Sequence, residues 1–136
     1  MNYQIRFFRP EEFACPCCGR VIVTVGLVLL LDILRASLGR RLIVTSGYRC
    51  PKHNAEVHGA KASRHLLGVA ADLRPVAGMS YTDFAAMAGG IFAFPGCEVR
   101  EYPKETHVHV AIPREGAGVL WNGGSIYVGT PGFVRS

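Results

Sequence analysis

The sequence predicts helices together with short, mainly antiparallel strands, and three observations carry that expectation. A long apolar stretch with helical period occupies residues 25–38, short β-branched segments follow it, and turn residues punctuate the last third of the chain at spacings that suit antiparallel hairpins.

Each element has its own reason. Residues 10–19, PEEFACPCCG, read as a turn or helix start that leads into three thiols, Cys15, Cys17 and Cys18. From Val25 to Leu38 the apolar positions wrap most of a helix, leaving Asp32 and Arg35 as a narrow wet stripe. Gly39 fits its left-handed stop, and Arg35, Arg40 and Arg41 suit the negative end of its dipole. Leu42–Thr45 is short and apolar, a buried strand ending at Ser46-Gly47. Pro51 can open a short helix carrying His53 and Asn54, and residues 58–64 form a polar loop. Val69–Leu73 is a second strand, so His65 precedes it and Asp72 lies on it. Ser80 and Asp83 have capping-box spacing for a helix to about Ala88, where Gly89-Gly90 stop it. Cys97–Tyr102 and His107–Ile112 read as antiparallel strands joined at Pro103-Lys104, and Val119–Val128 as a hairpin around Asn122-Gly123-Gly124.

Composition bounds the function. With 136 residues, 49% hydrophobic and 18% charged, the chain suits one packed domain, residues 1–136, and a monomer. Fifteen Lys and Arg against ten Asp and Glu give +5, which favours polyanionic surroundings such as wall polymers or nucleic acid. The basic residues are scattered and not interleaved with aromatics, which argues against dedicated nucleic-acid binding. The most apolar run, Val21–Leu31, is too short for a membrane span and reads as core helix. No Sec signal is visible in MNYQIRFFRPEEF, so the chain is expected to be made in the cytoplasm, and its five cysteines are not expected to form an obligatory disulfide framework.

The chemistry concentrates in residues 42–75 and in HVHV at 107–110. Two histidines and an aspartate can hold zinc, leaving a fourth position for water whose pKa the ion lowers. Residues 63–72, SRHLLGVAAD, match S-x-H-x-x-G-x-A-x-D, and together with SGYRCPKHN at 46–54 and HVH at 107–109 the chain resembles the zinc D-Ala-D-Ala peptidases, a family that also includes phage L-alanyl-D-glutamate endopeptidases. EFACPCCG is similar to the opening of small phage-encoded members. The resemblance covers about residues 11–112 and leaves the hairpin and tail at 113–136 unexplained.

The resemblance implies an α+β fold, with helices packed on one face of a small, mainly antiparallel sheet, shared with the Hedgehog signalling domain. It implies His65, Asp72 and His109 as zinc ligands. Arg49 resembles the arginine that faces the scissile carbonyl, where a rigid guanidinium would stabilise an oxyanion or bind a carboxylate; the alternative is a surface salt bridge. Ser63 is either a hydrogen-bond donor to bound peptide or a routine cap. His53 and His58 have no such support.

The general base is where the pattern departs. The family places an acidic residue three before the last histidine ligand, and here Thr106 stands there. Glu105 and His107 are the nearby groups with suitable chemistry. If the strand begins at Glu105, alternation puts Glu105, His107 and His109 on one face. Glu105 is preferred, because an imidazole beside a dication is penalised on becoming charged; its competing reading is a solvated turn residue.

Cys15, Cys17, Cys18 and Cys50 offer a four-thiolate set for a second, structural zinc, but free or disulfide-paired thiols are ranked ahead of it, and Cys97 reads as core. The leading function is a zinc metallopeptidase that cuts peptidoglycan stem peptides as a D-Ala-D-Ala carboxypeptidase or an L-Ala-D-Glu endopeptidase. It would belong to a phage or a bacterium, reaching the wall after lysis or from a virion. The runner-up is a zinc-containing binding module without hydrolysis, as in the Hedgehog relative, and the third reading is a nucleic-acid-binding protein using the cysteines.

Overall fold

Alternation along the central strands divides the molecule into a dry face and a wet one. The computed structural model describes residues 4–129, so the ends of the domain expected over residues 1–136 lie outside the described residues. An antiparallel four-stranded sheet runs in the order β1 (Ile43–Ser46), β2 (Ala70–Arg74), β4 (His107–Ala111) and β3 (Glu98–Tyr102). Ala71, Leu73, Val108 and Val110 enter the core from the dry face. Asp72 pairs in register with His109, which pairs with Arg100, and His107 pairs with Tyr102, so these residues share the wet face.

Helices α1 (Val25–Leu38) and α3 (Tyr81–Ile91) cover the dry face through Leu27, Val28, Leu31, Leu34, Phe84 and Ala88, all buried. This is the expected α+β arrangement. Gly39 ends α1 in the left-handed region at φ 65°, its N–H donating to the Arg35 carbonyl. The short helix α2 (Pro51–Glu56) begins after Cys50 and belongs to the wet side, where its buried Asn54 donates to the Ala60 carbonyl. A hairpin of β5 (Val119–Trp121) and β6 (Ile126–Val128) follows, as the Asn122-Gly123-Gly124 turn predicts, and Trp121 joins the core.

Three expectations fail for stated reasons. Asp32 is not on a wet stripe: it is fully buried, and its carboxylate accepts from the N–H groups of Arg6 and Phe7, so it ties the N-terminal segment to α1. The exposed stripe carries Ile33, Ala36 and Ser37 instead. Residues 21–24 precede the helix, because the Thr24 hydroxyl and N–H both donate to the Gly68 carbonyl and Thr24 bridges to Leu120. Helix α3 runs through Gly89-Gly90 to Ile91: burial of Phe92, whose N–H donates to the Ala88 carbonyl, outweighs the glycines' low helix propensity.

Candidate metal centre

Three side chains converge on the wet face from separate elements. A 3-10 turn at Arg64–Leu67 carries His65, and Ser63 caps it by accepting from the His65 N–H. The motif glycine, Gly68, closes the turn at φ 72°, and a Cβ there would lie 2.5 Å from the Ile22 carbonyl oxygen, so no other residue fits without movement. Asp72 comes from β2 and His109 from β4. His65 Nε2 and His109 Nδ1 lie 3.3 and 3.0 Å from the same Asp72 oxygen, and a ligand atom from each of the three residues falls within 4.8 Å of the others.

The far sides of both rings are held by acceptors. His65 Nδ1 donates to the Gly47 carbonyl at 2.7 Å, which leaves Nε2, on the Asp72 side, as the nitrogen available to a metal. His109 Nε2 donates to Glu98 at 3.2 Å, which turns Nδ1 inward toward Asp72. Metal-ligating histidines are oriented in this way, by a carbonyl or carboxylate on the second nitrogen. Two imidazole nitrogens and a carboxylate that converge share protons when no ion is bound and can hold a cation in their place. Their separations suit a tetrahedron with bonds of about 2.0–2.1 Å, whose edges are about 3.3 Å. The donor set therefore fits zinc, with His65, Asp72 and His109 as the residues that would hold it.

Electrostatics match. Burial pushes the Asp72 carboxyl up, but hydrogen bonds and charge from His109 and His65 outweigh it and hold the group well below the ordinary carboxylate range. Burial likewise raises Glu98, and His109, Arg64 and Arg100 more than offset this, so it too is lowered.

Around the three residues lies an open cleft of about 470 Å³. Arg49, Ser63, His65, Asp72, His107 and His109 all line it. Arg49 is not a surface ion pair: its guanidinium lies 3.2 Å from Asp72 Oδ2 and donates to Ser46 and Asn54, with only 15% of the side chain exposed. The His107 ring stacks on Tyr102, with centroids 4.8 Å apart, and its carbonyl accepts from the Tyr81 hydroxyl, which also accepts from the Tyr102 N–H.

Glu105 is not among the cleft residues. The strand begins at His107 and not at Glu105, because residues 103–106 form a turn in which Thr106 takes φ 59°, breaking the alternation that would align Glu105 with His109. Glu105 is exposed in that turn. Among the cleft residues that escaped the sequence are Glu98 and His58. Glu98 was legible in principle, since pairing of the strands at 97–102 and 107–112 brings it beside His109. His58, which lines the cleft at φ 57°, left no signal; His53 instead pairs with Glu56 inside α2.

A second gathering forms around Cys50, the residue after Arg49. The Cys15, Cys18 and Cys50 sulfurs are within 4.8 Å of one another, and Cys17 is exposed beside them. Cys97 is half-buried against the core.

An antiparallel sheet that presents two tautomer-fixed imidazoles and a carboxylate in an open cleft defines the class of α+β domains built around a zinc-type centre. The chain belongs to the Peptidase M15 family, whose model matches residues 7–111 and so spans the N-terminal cysteines, the sheet and all three candidate ligands. No curated protein matches the chain. Among the described residues, no helix is long and apolar enough to cross a membrane.

Proposed function

We propose that the protein is a zinc metallopeptidase that hydrolyses amide bonds in peptidoglycan stem peptides, as a D-Ala-D-Ala carboxypeptidase or L-Ala-D-Glu endopeptidase of a phage or bacterium, acting on the wall after lysis or from a virion. The observation that carries it is the convergence of His65 Nε2, Asp72 and His109 Nδ1 with their outer nitrogens already engaged, in a cleft large enough for a peptide. Zinc held by these residues would activate water and polarise the scissile carbonyl.

The chain's own groups do the rest. Arg49, paired with Asp72 and lining the cleft, offers the N–H groups not taken by Ser46, Asn54 and Asp72 to the scissile carbonyl oxygen or a substrate carboxylate. Ser63, at the cleft wall, offers its hydroxyl to the peptide backbone. His107, held by the Tyr102 stack and the Tyr81 hydroxyl, accepts the water proton and returns it to the leaving amine; this assignment replaces the preference for Glu105, which is exposed in the turn.

One observation favours a second reading, a zinc-containing binding module without hydrolysis: the carboxylate nearest the centre after Asp72, Glu98, is committed to His109, Arg64 and Arg100. Incubating the zinc-loaded protein with purified peptidoglycan and identifying the released fragments by mass separates the two. Free D-Ala marks the carboxypeptidase, fragments split at L-Ala-D-Glu mark the endopeptidase, and intact stem peptides with zinc still bound leave the binding module.

A further inference from the structure

The peptidase reading uses none of the cysteines at residues 15–18 and 50, yet the fold brings them together. Cys15 and Cys50 are buried, and their sulfurs lie with that of Cys18 within 4.8 Å of one another. Residues 15–20 form a tight turn closed from both ends: the Cys15 N–H donates to the Arg20 carbonyl, and the Gly19 N–H to the Cys15 carbonyl, with Gly19 at φ 73°. That turn holds Cys15 and Cys18 toward Cys50, the residue before α2.

Backbone N–H groups are aimed at the sulfurs. The Cys50 N–H donates to Cys15 Sγ and the His53 N–H to Cys50 Sγ, both at 3.4 Å. The N–H groups of Cys18 and Cys17 also act on the Cys15 sulfur. Such donors favour thiolate over thiol, and hydrogen-bonded thiolates are what a closed zinc site uses. Cys17, exposed in the same turn, is the fourth thiol adjacent to the cluster. Sulfurs on a tetrahedron with bonds of about 2.3 Å sit about 3.8 Å apart, and the three clustered sulfurs, within 4.8 Å of one another, are already near that spacing. A disulfide would join only two of them and leave the third clustered sulfur without a role.

We propose that Cys15, Cys17, Cys18 and Cys50 form a second, structural zinc site, separate from the His65, Asp72 and His109 centre. The ion clasps the N-terminal segment onto residues 46–50. That segment supplies the Gly47 carbonyl, which orients His65, and the Arg49 guanidinium. It is otherwise held by the Tyr48 N–H donating to the Phe13 carbonyl and by close packing, in which a Cβ on Gly47 would lie 2.7 Å from Phe13 Cα. The clasp therefore stiffens one wall of the cleft without touching substrate.

The full chain, produced in cobalt-supplemented medium and kept reduced, tests this. Cobalt in a four-thiolate site gives intense thiolate-to-metal charge-transfer absorption in the near ultraviolet, which imidazole and carboxylate ligands do not, so the readout is independent of the other centre. We expect that absorption in the unaltered chain and in Cys97→Ser, its loss in Cys15→Ser and Cys50→Ser, and at least tenfold weaker metal binding in Cys17→Ser. Zinc-grown protein should carry two ions per chain, and one after combined His65→Ala, Asp72→Ala and His109→Ala. Absence of the charge-transfer band from the unaltered chain, with all five thiols open to a thiol reagent or two joined in a disulfide, overturns the proposal. Undiminished binding in Cys17→Ser overturns the four-sulfur set.

Discussion

At the residue scale, the hydrogen bond from His109 to Glu98 decides which ring nitrogen faces the centre. Glu98→Ala frees that ring and should weaken zinc binding by about tenfold to a hundredfold, as losses in the layer behind metal ligands do; competition with a chromophoric chelator reads it, and unchanged affinity would show that β-strand packing alone sets the ring. Arg49 is expected to act on the reaction more than on the ion. Its replacement by Ala should cost about 3 kcal/mol of transition-state stabilisation, on the order of a hundredfold in kcat. Lys should recover part of it, because the charge returns without the planar fork. Full turnover by Arg49→Ala would reduce the arginine to a structural partner of Asp72. For the proton, His107→Ala should lose most of kcat at matched zinc content while Glu105→Gln stays near the unaltered rate; a dead Glu105→Gln would mean that the turn at residues 103–106 rearranges to bring the carboxylate in.

At the element scale, glycines that look alike in sequence have opposite roles. Gly90 sits in the exposed final turn of α3, and a methyl group added there would meet nothing within 4 Å, so Gly90→Ala should stabilise the fold by about 0.5–1 kcal/mol, the helix-propensity difference. Gly47→Ala should destabilise it by more than that, since the added carbon meets the Phe13 backbone at 2.7 Å. Urea midpoints of the two variants check the pair, and a stabilised Gly47→Ala would show that the N-terminal segment shifts freely. The same packing explains why α3 continues past two glycines: Phe92 is buried at its end, and propensity yields to that burial.

At the scale of the whole molecule, charge is stored around one sheet face. Asp72 and Glu98 both have carboxyls held below their ordinary range by partners present only in the folded chain. A lowered folded-state value means that the stabilisation is fully present above the unfolded value, about pH 4, and is lost as pH falls below it. Metal-free protein should therefore lose stability between about pH 5 and pH 2 more steeply than Asp72→Asn does, which urea titrations at stepped pH measure. Equal slopes would mean that Asp72 contributes nothing to the acid response. Zinc should oppose unfolding at neutral pH and be displaced by protons over the acid range.

The sequence by itself determined the helix at 25–38 with its glycine stop and the strand pairing at the end of the chain, because period and capping chemistry are local properties, while the grouping of His65, Asp72 and His109 was legible through the family motif. Tertiary structure decided what locality cannot carry. Asp32 looked solvated until the N–H groups of Arg6 and Phe7, distant in sequence, were found on its carboxylate. Glu105 looked aligned with His109 until the Thr106 backbone turned left-handed and shortened the strand. Glu98 gained its role from the register of two strands, and the N-terminal cysteines met Cys50 only because the chain folds back across β1. Each of these depends on a partner far along the chain, whose position is set by burial of the whole core and not by the residues on either side.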